Sequence, residues 1–241
     1  MSGRKDELDT IILKGAKCLG ISLPIGAVKA FYEYYNLLEE KGKNVNLTAI
    51  SGVAEVANLH FLDSICLLDV AKFTNASVID VGSGAGFPGI PLKIADPTIK
   101  LTLLDSSGKR INFLEEVCDT LGIDAKCVHE RAENYAKESN IRESWDIAVS
   151  RAVAKLNTLA ELCLPFVRIG GAFVAMKSIN AEHELLEAMN AIEVLGGRFV
   201  EKIDYTIPNS EIMHSAVIIQ KIDKTPDKYP RRFSRIQMAP L

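Results

Sequence analysis

Cysteine is sparse and unpatterned in this chain: Cys18, Cys66, Cys118, Cys127 and Cys163 are scattered, with no C-x-x-C pair among them. That excludes a disulfide framework and reads as reduced, mostly buried thiols of a cytosolic protein. The four histidines (His60, His129, His183, His214) stand too far apart for a zinc-ligand pattern, so no metal is expected. No apolar run approaches the roughly 20 residues that span a bilayer, and no apolar segment follows the charged start Met-Ser-Gly-Arg-Lys-Asp-Glu. The reading is a cytoplasmic protein without membrane contact. Internal repeats and low-complexity segments are also missing. So is an excess of positive charge: Lys+Arg 28 against Asp+Glu 31 gives −3, which excludes coating nucleic acid by bulk charge but not a local basic patch.

What remains is ordinary globular composition, 48% hydrophobic and 24% charged over 241 residues, enough for one large domain with an appendage. Residues 1–72 show helical periodicity in three stretches: Leu8, Ile11, Ile12, Ala16, Leu19; Val28, Phe31, Tyr34, Tyr35, Leu38; and Val56, Leu59, Phe61, Leu62, Ile65, Leu68. Pro24 suits an early helix position, Gly42 a helix stop, and 44–48 a connecting loop. From Ser77 the texture changes. Strand-sized apolar runs (Val78–Val81, Leu101–Leu104, Ala125–Val128, Ile147–Val149, Ala172–Met176) alternate with expected helices Gly89–Ala95, Lys109–Leu121, Leu156–Val167 and Ala181–Leu195. Such alternation requires crossover connections, hence a doubly wound α/β domain. Phe199–Ile207 and Ala216–Ile222, joined through Pro208-Asn209-Ser210, read as a closing antiparallel hairpin. The domain is assigned to 73–222 and a basic tail to 223–241. From Lys221 onward six basic residues oppose two acidic ones, giving +4 and leaving −7 for the rest, so a tail on an acidic body can still meet phosphates.

Residues 78–89 read Val-Ile-Asp-Val-Gly-Ser-Gly-Ala-Gly-Phe-Pro-Gly, placing Gly82, Gly84 and Gly86 between the first strand and a helix. Glycines there permit positive φ and let a ligand approach the backbone. The spacing is G-x-G-x-G with Asp80 two residues ahead, not the G-x-G-x-x-G that cradles a pyrophosphate, and no P-loop Lys-Ser/Thr follows. Asp105, at the end of the next strand, suits both hydroxyls of a ribose, and Glu133, after the third, suits a base. A nucleoside ligand without phosphates fits this pattern. S-adenosylmethionine is one, and Asp80 could supply an acidic rim for its sulfonium. A tight structural turn, with no ligand, is the plain alternative for the glycines alone.

Val78–Leu92, Leu103–Leu114, Arg131-Ala132-Glu133 and Ser150-Arg151-Ala152, together with Asn46-Leu47-Thr48, residues 60–64, Gly170–Lys177 and Tyr229-Pro230-Arg231, resemble the RsmG (GidB) family, guanine-N7 methyltransferases of 16S ribosomal RNA. The resemblance implies a class I S-adenosylmethionine-dependent methyltransferase, Rossmann-like, with a mostly parallel seven-stranded sheet, an antiparallel last strand and an N-terminal helical extension. It also implies that Gly82 and Phe87 contact the cofactor, that Ala132 and Glu133 hold its adenine, and that Arg151 lies beside the methionine end and the incoming base. The small ribosomal subunit is the implied partner. At the tail, Ser234, Ile236 and Met238 replace the glycine, proline and lysine usual in the family.

Guanine N7 has an exposed lone pair and no proton to lose, so its methylation needs positioning rather than a strong base. Arg151, which could orient O6 and N7, and Lys177, at the end of the fifth strand, are the catalytic candidates, with salt bridges as their structural alternative. His60 reads as a satisfied, half-buried histidine, and Tyr32, Tyr34 and Tyr35 as packing between helices. A monomer suffices for this design. Two other functions stay open: a nicotinamide-dependent Rossmann oxidoreductase, and a non-enzymatic ribosome-binding factor.

Overall fold

Seven strands form one sheet in the computed structural model, which describes residues 2–45, 47, 48, 50–151 and 154–241. Asn46 and Ala152, both part of motifs named above, lie outside the described residues. The strands are β1 (Ser77–Val81), β2 (Lys100–Asp105), β3 (Ala125–His129), β4 (Trp145–Arg151), β5 (Val167–Ser178), β6 (Gly197–Thr206) and β7 (Met213–Lys221). Their order is β3-β2-β1-β4-β5-β7-β6. The first five pair in parallel, and β7 inserts antiparallel between β5 and β6, as expected for this fold class. The chain reverses its direction of strand addition between β1 and β4, and at such a switch point the carboxyl ends of adjacent strands open a crevice.

The helices are α1 (Ser2–Cys18), α2 (Ala27–Val45), α3 (residues 53–70), α4 (Gly89–Ala95), α5 (Gly108–Leu121), α6 (Ala132–Tyr135), α7 (Leu156–Cys163), α8 (Glu182–Val194) and α9 (Phe233–Met238). Three departures from the sequence reading have physical reasons. Gly42 does not stop α2, because one internal glycine costs only about 1 kcal/mol relative to alanine and the helix continues through 43–45. Pro24 sits in the turn ahead of α2, where its carbonyl accepts from the Ala27 N–H, 3.1 Å away. The helix expected to run to Val167 ends at Cys163. Pro165, which has no N–H to continue the ladder, sits in the short 3₁₀ turn Leu164–Phe166, and Val167 already belongs to β5.

The helical extension does not stand apart. Phe31, Tyr34 and Phe61 are fully buried and share one apolar cluster with Val78, Phe87 and Leu103 of the sheet domain. Tyr34 packs 5.3 Å from the Phe61 ring and 5.5 Å from Phe87, and its hydroxyl donates to the Ala85 carbonyl inside the glycine turn. The second face of the sheet buries α7, α8 and the tail residues Tyr229 and Ile236. The tail is thus packed down, and two of the six basic residues counted from Lys221 onward are structural: Lys221, which ends β7 with no exposed surface, pairs with Glu143 at 2.9 Å, and Arg231 pairs with Glu161.

Candidate active site

Backbone geometry at the end of β1 sets the floor of a cleft of about 500 Å³. Gly84 has φ +60, a conformation that L side chains avoid, and the nearest atom to an added Cβ would be the Gly82 carbonyl oxygen at 3.9 Å. Gly86 serves a different purpose. A Cβ there would fall 2.6 Å from both the Tyr34 hydroxyl and Ile90, so this glycine lets the helical extension close on the turn. Gly82, Gly84, Phe87, Asp105, Ala132, Glu133 and Arg151 all line the cleft. Asp80, Gly86 and Lys177 lie outside its lining.

Asp105 is almost fully buried. Its Oδ2 accepts from the Gly84 N–H at 3.0 Å and its Oδ1 from the Ser107 N–H at 2.8 Å, which ties the end of β2 to the turn after β1. Arg110 Nη1 lies 3.4 Å from Oδ2. Across the cleft, Glu133 accepts from the Phe233 N–H at 3.3 Å, so the C-terminal helix braces this corner. Asp80 lies wholly buried beneath the turn. Its Oδ2 accepts from the Gly89 N–H at 2.8 Å, and Oδ1 is an unpartnered buried atom. Burial pushes this carboxyl up to about 7, partly offset by the Gly89 hydrogen bond and the Arg151 charge.

The opposite wall carries a network that sequence reasoning missed. Residues 57–62 of α3 form a π-helical turn, a feature often found at functional sites, which contains His60. Arg151 Nη1 donates to the Leu59 carbonyl (3.0 Å) and to Asp63 Oδ2 (3.2 Å), and Nη2 donates to His60 Nδ1 (2.9 Å). The guanidinium carbon stands 4.7 Å from the Phe87 ring centre, and the His60 ring stacks on Phe87 at 4.3 Å. Asp63 is also met by the Tyr205 hydroxyl (3.0 Å) and by His214 Nδ1 (2.9 Å), which anchors α3 to β6 and β7. Burial, reinforced by the Arg151 charge, lowers the His60 pKa to about 3, so the ring is neutral at physiological pH. The available signal was His60 and Asp63 three apart on one helix face; nothing local announced the π turn. Lys177 is held instead by the Ala154 carbonyl and Glu184, both at 2.7 Å.

The fold and this cleft define a class, the Rossmann-like methyltransferases. A geranyl diphosphate methyltransferase solved in complex with SAM superimposes with TM-score 0.55 at 14% identity, over 75% of this chain and 91% of its own. TrmN from Thermus thermophilus gives 0.51 at 15%, over 66% and 48%. At such identities the likeness is one of fold. Within that class the chain belongs to the GidB family, rRNA small subunit methyltransferase G, whose model matches residues 27–210. A ribosomal RNA small subunit methyltransferase G from Thermoanaerobacter sp. (strain X514) is 46% identical over 98% of this chain and 100% of its own length. One from Acetivibrio thermocellus is 41% identical over 100% of both.

Proposed function

We propose that this protein transfers a methyl group from S-adenosylmethionine to N7 of a guanine in 16S ribosomal RNA of the small subunit. The observation that carries the reading is Asp105, a buried carboxylate at the end of β2, bonded to the Gly84 N–H at the floor of a cleft large enough for a nucleoside. The cofactor suits these residues: the glycine turn leaves main chain open to an adenosyl group, and the buried Asp105 carboxylate at the end of β2 suits a ribose. When bound, S-adenosylmethionine supplies an activated methyl group.

The chain's own residues do the rest. Asp105 Oδ2 accepts from Gly84 and Arg110 and its Oδ1 from Ser107, which leaves Oδ1 a lone pair for a ribose hydroxyl. Ala132 and Glu133 border the adenine. Arg151, its plane fixed by Leu59, Asp63 and His60, stands beside the methionine end and the incoming base. Its part is orientation without the contact to N7 that the sequence suggested, because a donor placed on N7 itself would tie up the attacking lone pair. Lys177 positions the segment after β4 through Ala154 and Glu184.

Lys228, Arg232 and Arg235, with Tyr229, line a second concavity of about 600 Å³, and Phe233 between those arginines borders the cleft. This basic surface is assigned to the RNA backbone. The test is incubation of the full chain with methyl-labelled S-adenosylmethionine and small-subunit RNA lacking its modifications. Label at N7 of one guanine is expected; no transfer to free RNA or to subunits overturns the reading.

A further inference from the structure

Thr48, on the cleft wall beside His60, is constrained by its neighbours in a way that bears on base recognition. Arginine can only donate, so the 2.9 Å contact between Arg151 Nη2 and His60 Nδ1 requires that nitrogen to be unprotonated. The ring proton of the neutral histidine therefore sits on Nε2, which donates to Thr48 Oγ1 at 2.7 Å. The Ile50 N–H donates to the same oxygen at 3.0 Å. A hydroxyl has one hydrogen and two lone pairs, and here both lone pairs are occupied. Thr48 thus cannot reverse its polarity as hydroxyls usually do. As a residue of the cleft lining, its hydroxyl can meet a ligand only as a donor.

We infer that Thr48 reads O6 of the target guanine, as a hydrogen-bond donor that the Arg151–His60 pair prevents from accepting. The inference rests on the guanine-N7 reading above. O6 lies next to N7 on the base edge and is an acceptor, whereas adenine presents an amino donor at the same place. An ordinary hydroxyl would tolerate either base. A locked donor pairs with guanine and leaves adenine's amino group facing another hydrogen, and sites that bury an unmatched polar group reject the wrong partner strongly. Thr48 lines the same cleft as the Asp105 carboxylate assigned to the ribose, and His60 links it to Arg151, the residue assigned to the incoming base.

The experiment uses the full chain and RNA in which the target guanine is replaced by 2-aminopurine, with hydrogen at C6, or by 2,6-diaminopurine, with an amino group there. Thr48→Val should lower kcat/KM on guanine RNA by about ten- to a hundred-fold, with S-adenosylhomocysteine affinity held within about twofold. Thr48→Ser, which keeps the hydroxyl, should recover most of the loss. On 2-aminopurine RNA the Val variant and the wild type should be equal, and the wild type should discriminate against 2,6-diaminopurine more than Thr48→Val does. Equal activity of the Val variant on guanine, or a deficit that persists on 2-aminopurine, overturns the inference. So does a deficit in S-adenosylhomocysteine affinity, which would place Thr48 on the cofactor side. Should Thr48→Val not fold, wild-type protein that methylates 2,6-diaminopurine as readily as guanine overturns it. Wild-type protein that methylates no guanine N7 sinks the preceding reading, and this one with it.

Discussion

A carboxyl group with no exposed surface, Asp80 lies under the glycine turn, where among the described residues the Gly89 N–H alone donates to it. Its pKa is raised from 3.8 to about 7, chiefly by burial. The folded state therefore holds this proton more tightly than the unfolded chain does. The resulting stability is fully present below about pH 4 and is lost as pH rises through about 7, up to a few kcal/mol in all. Asp80→Asn removes the titration while keeping an acceptor for Gly89. The melting temperature of the variant relative to wild type should be higher at pH 8 than at pH 5; an unchanged difference between the two pH values refutes the assignment. The same residue shows what sequence conveys at this scale. Its place ahead of the glycines was legible, and so was its acidity. That it points under the turn, outside the cleft lining, depends on how α4 begins, with Gly89 so close that a Cβ there would lie 2.8 Å from the carboxylate.

Elements acquire function here through the contacts that seat them. The C-terminal segment reads in sequence as a basic tail able to meet phosphates, yet Arg231 forms a two-point pair with Glu161, at 2.8 Å through Nε and 2.6 Å through Nη2. Glu161 is wholly buried in α7. Removing one partner of such a pair strands a buried charge, typically at a cost of about 3–5 kcal/mol. Arg231→Ala should therefore lower the melting temperature by about 6 °C or more, since each kcal/mol is worth about 2–4 °C at this size. It should also weaken S-adenosylhomocysteine binding, because Phe233, two residues on, braces Glu133. Differential scanning calorimetry with and without the ligand checks both outcomes, and a variant as stable as wild type refutes this account of the tail. The π turn in α3 is the opposite case. Its periodicity announced a helix, but the extra residue per turn that presents His60 and the Leu59 carbonyl to Arg151 has no sequence period of its own.

For the whole molecule, a net charge of −3 conceals a segregated distribution. With Lys221 and Arg231 spent internally, the exposed tail cations Lys224, Lys228, Arg232 and Arg235 are what remains to meet a phosphate backbone. Each phosphate contact releases about 0.7–0.9 counterion, so Arg232→Ala with Arg235→Ala should reduce the log–log salt slope of RNA binding by about 1 to 2. Filter binding across a salt series measures the slope, and an unchanged slope moves the RNA path elsewhere. The sequence by itself determined the alternating strands and helices, the glycine turn and the acidic residues at or just beyond the ends of successive strands, because strand period, crossover length and turn chemistry are local properties of the chain. Tertiary structure alone decided which of those residues face the cleft, which cations stay free, and that Thr48, His60, Asp63 and Arg151 form one network. Arg151 meets Asp63 and His60 across 88 and 91 positions of chain, and hydrogen-bond polarity is settled only when donors and acceptors meet in space.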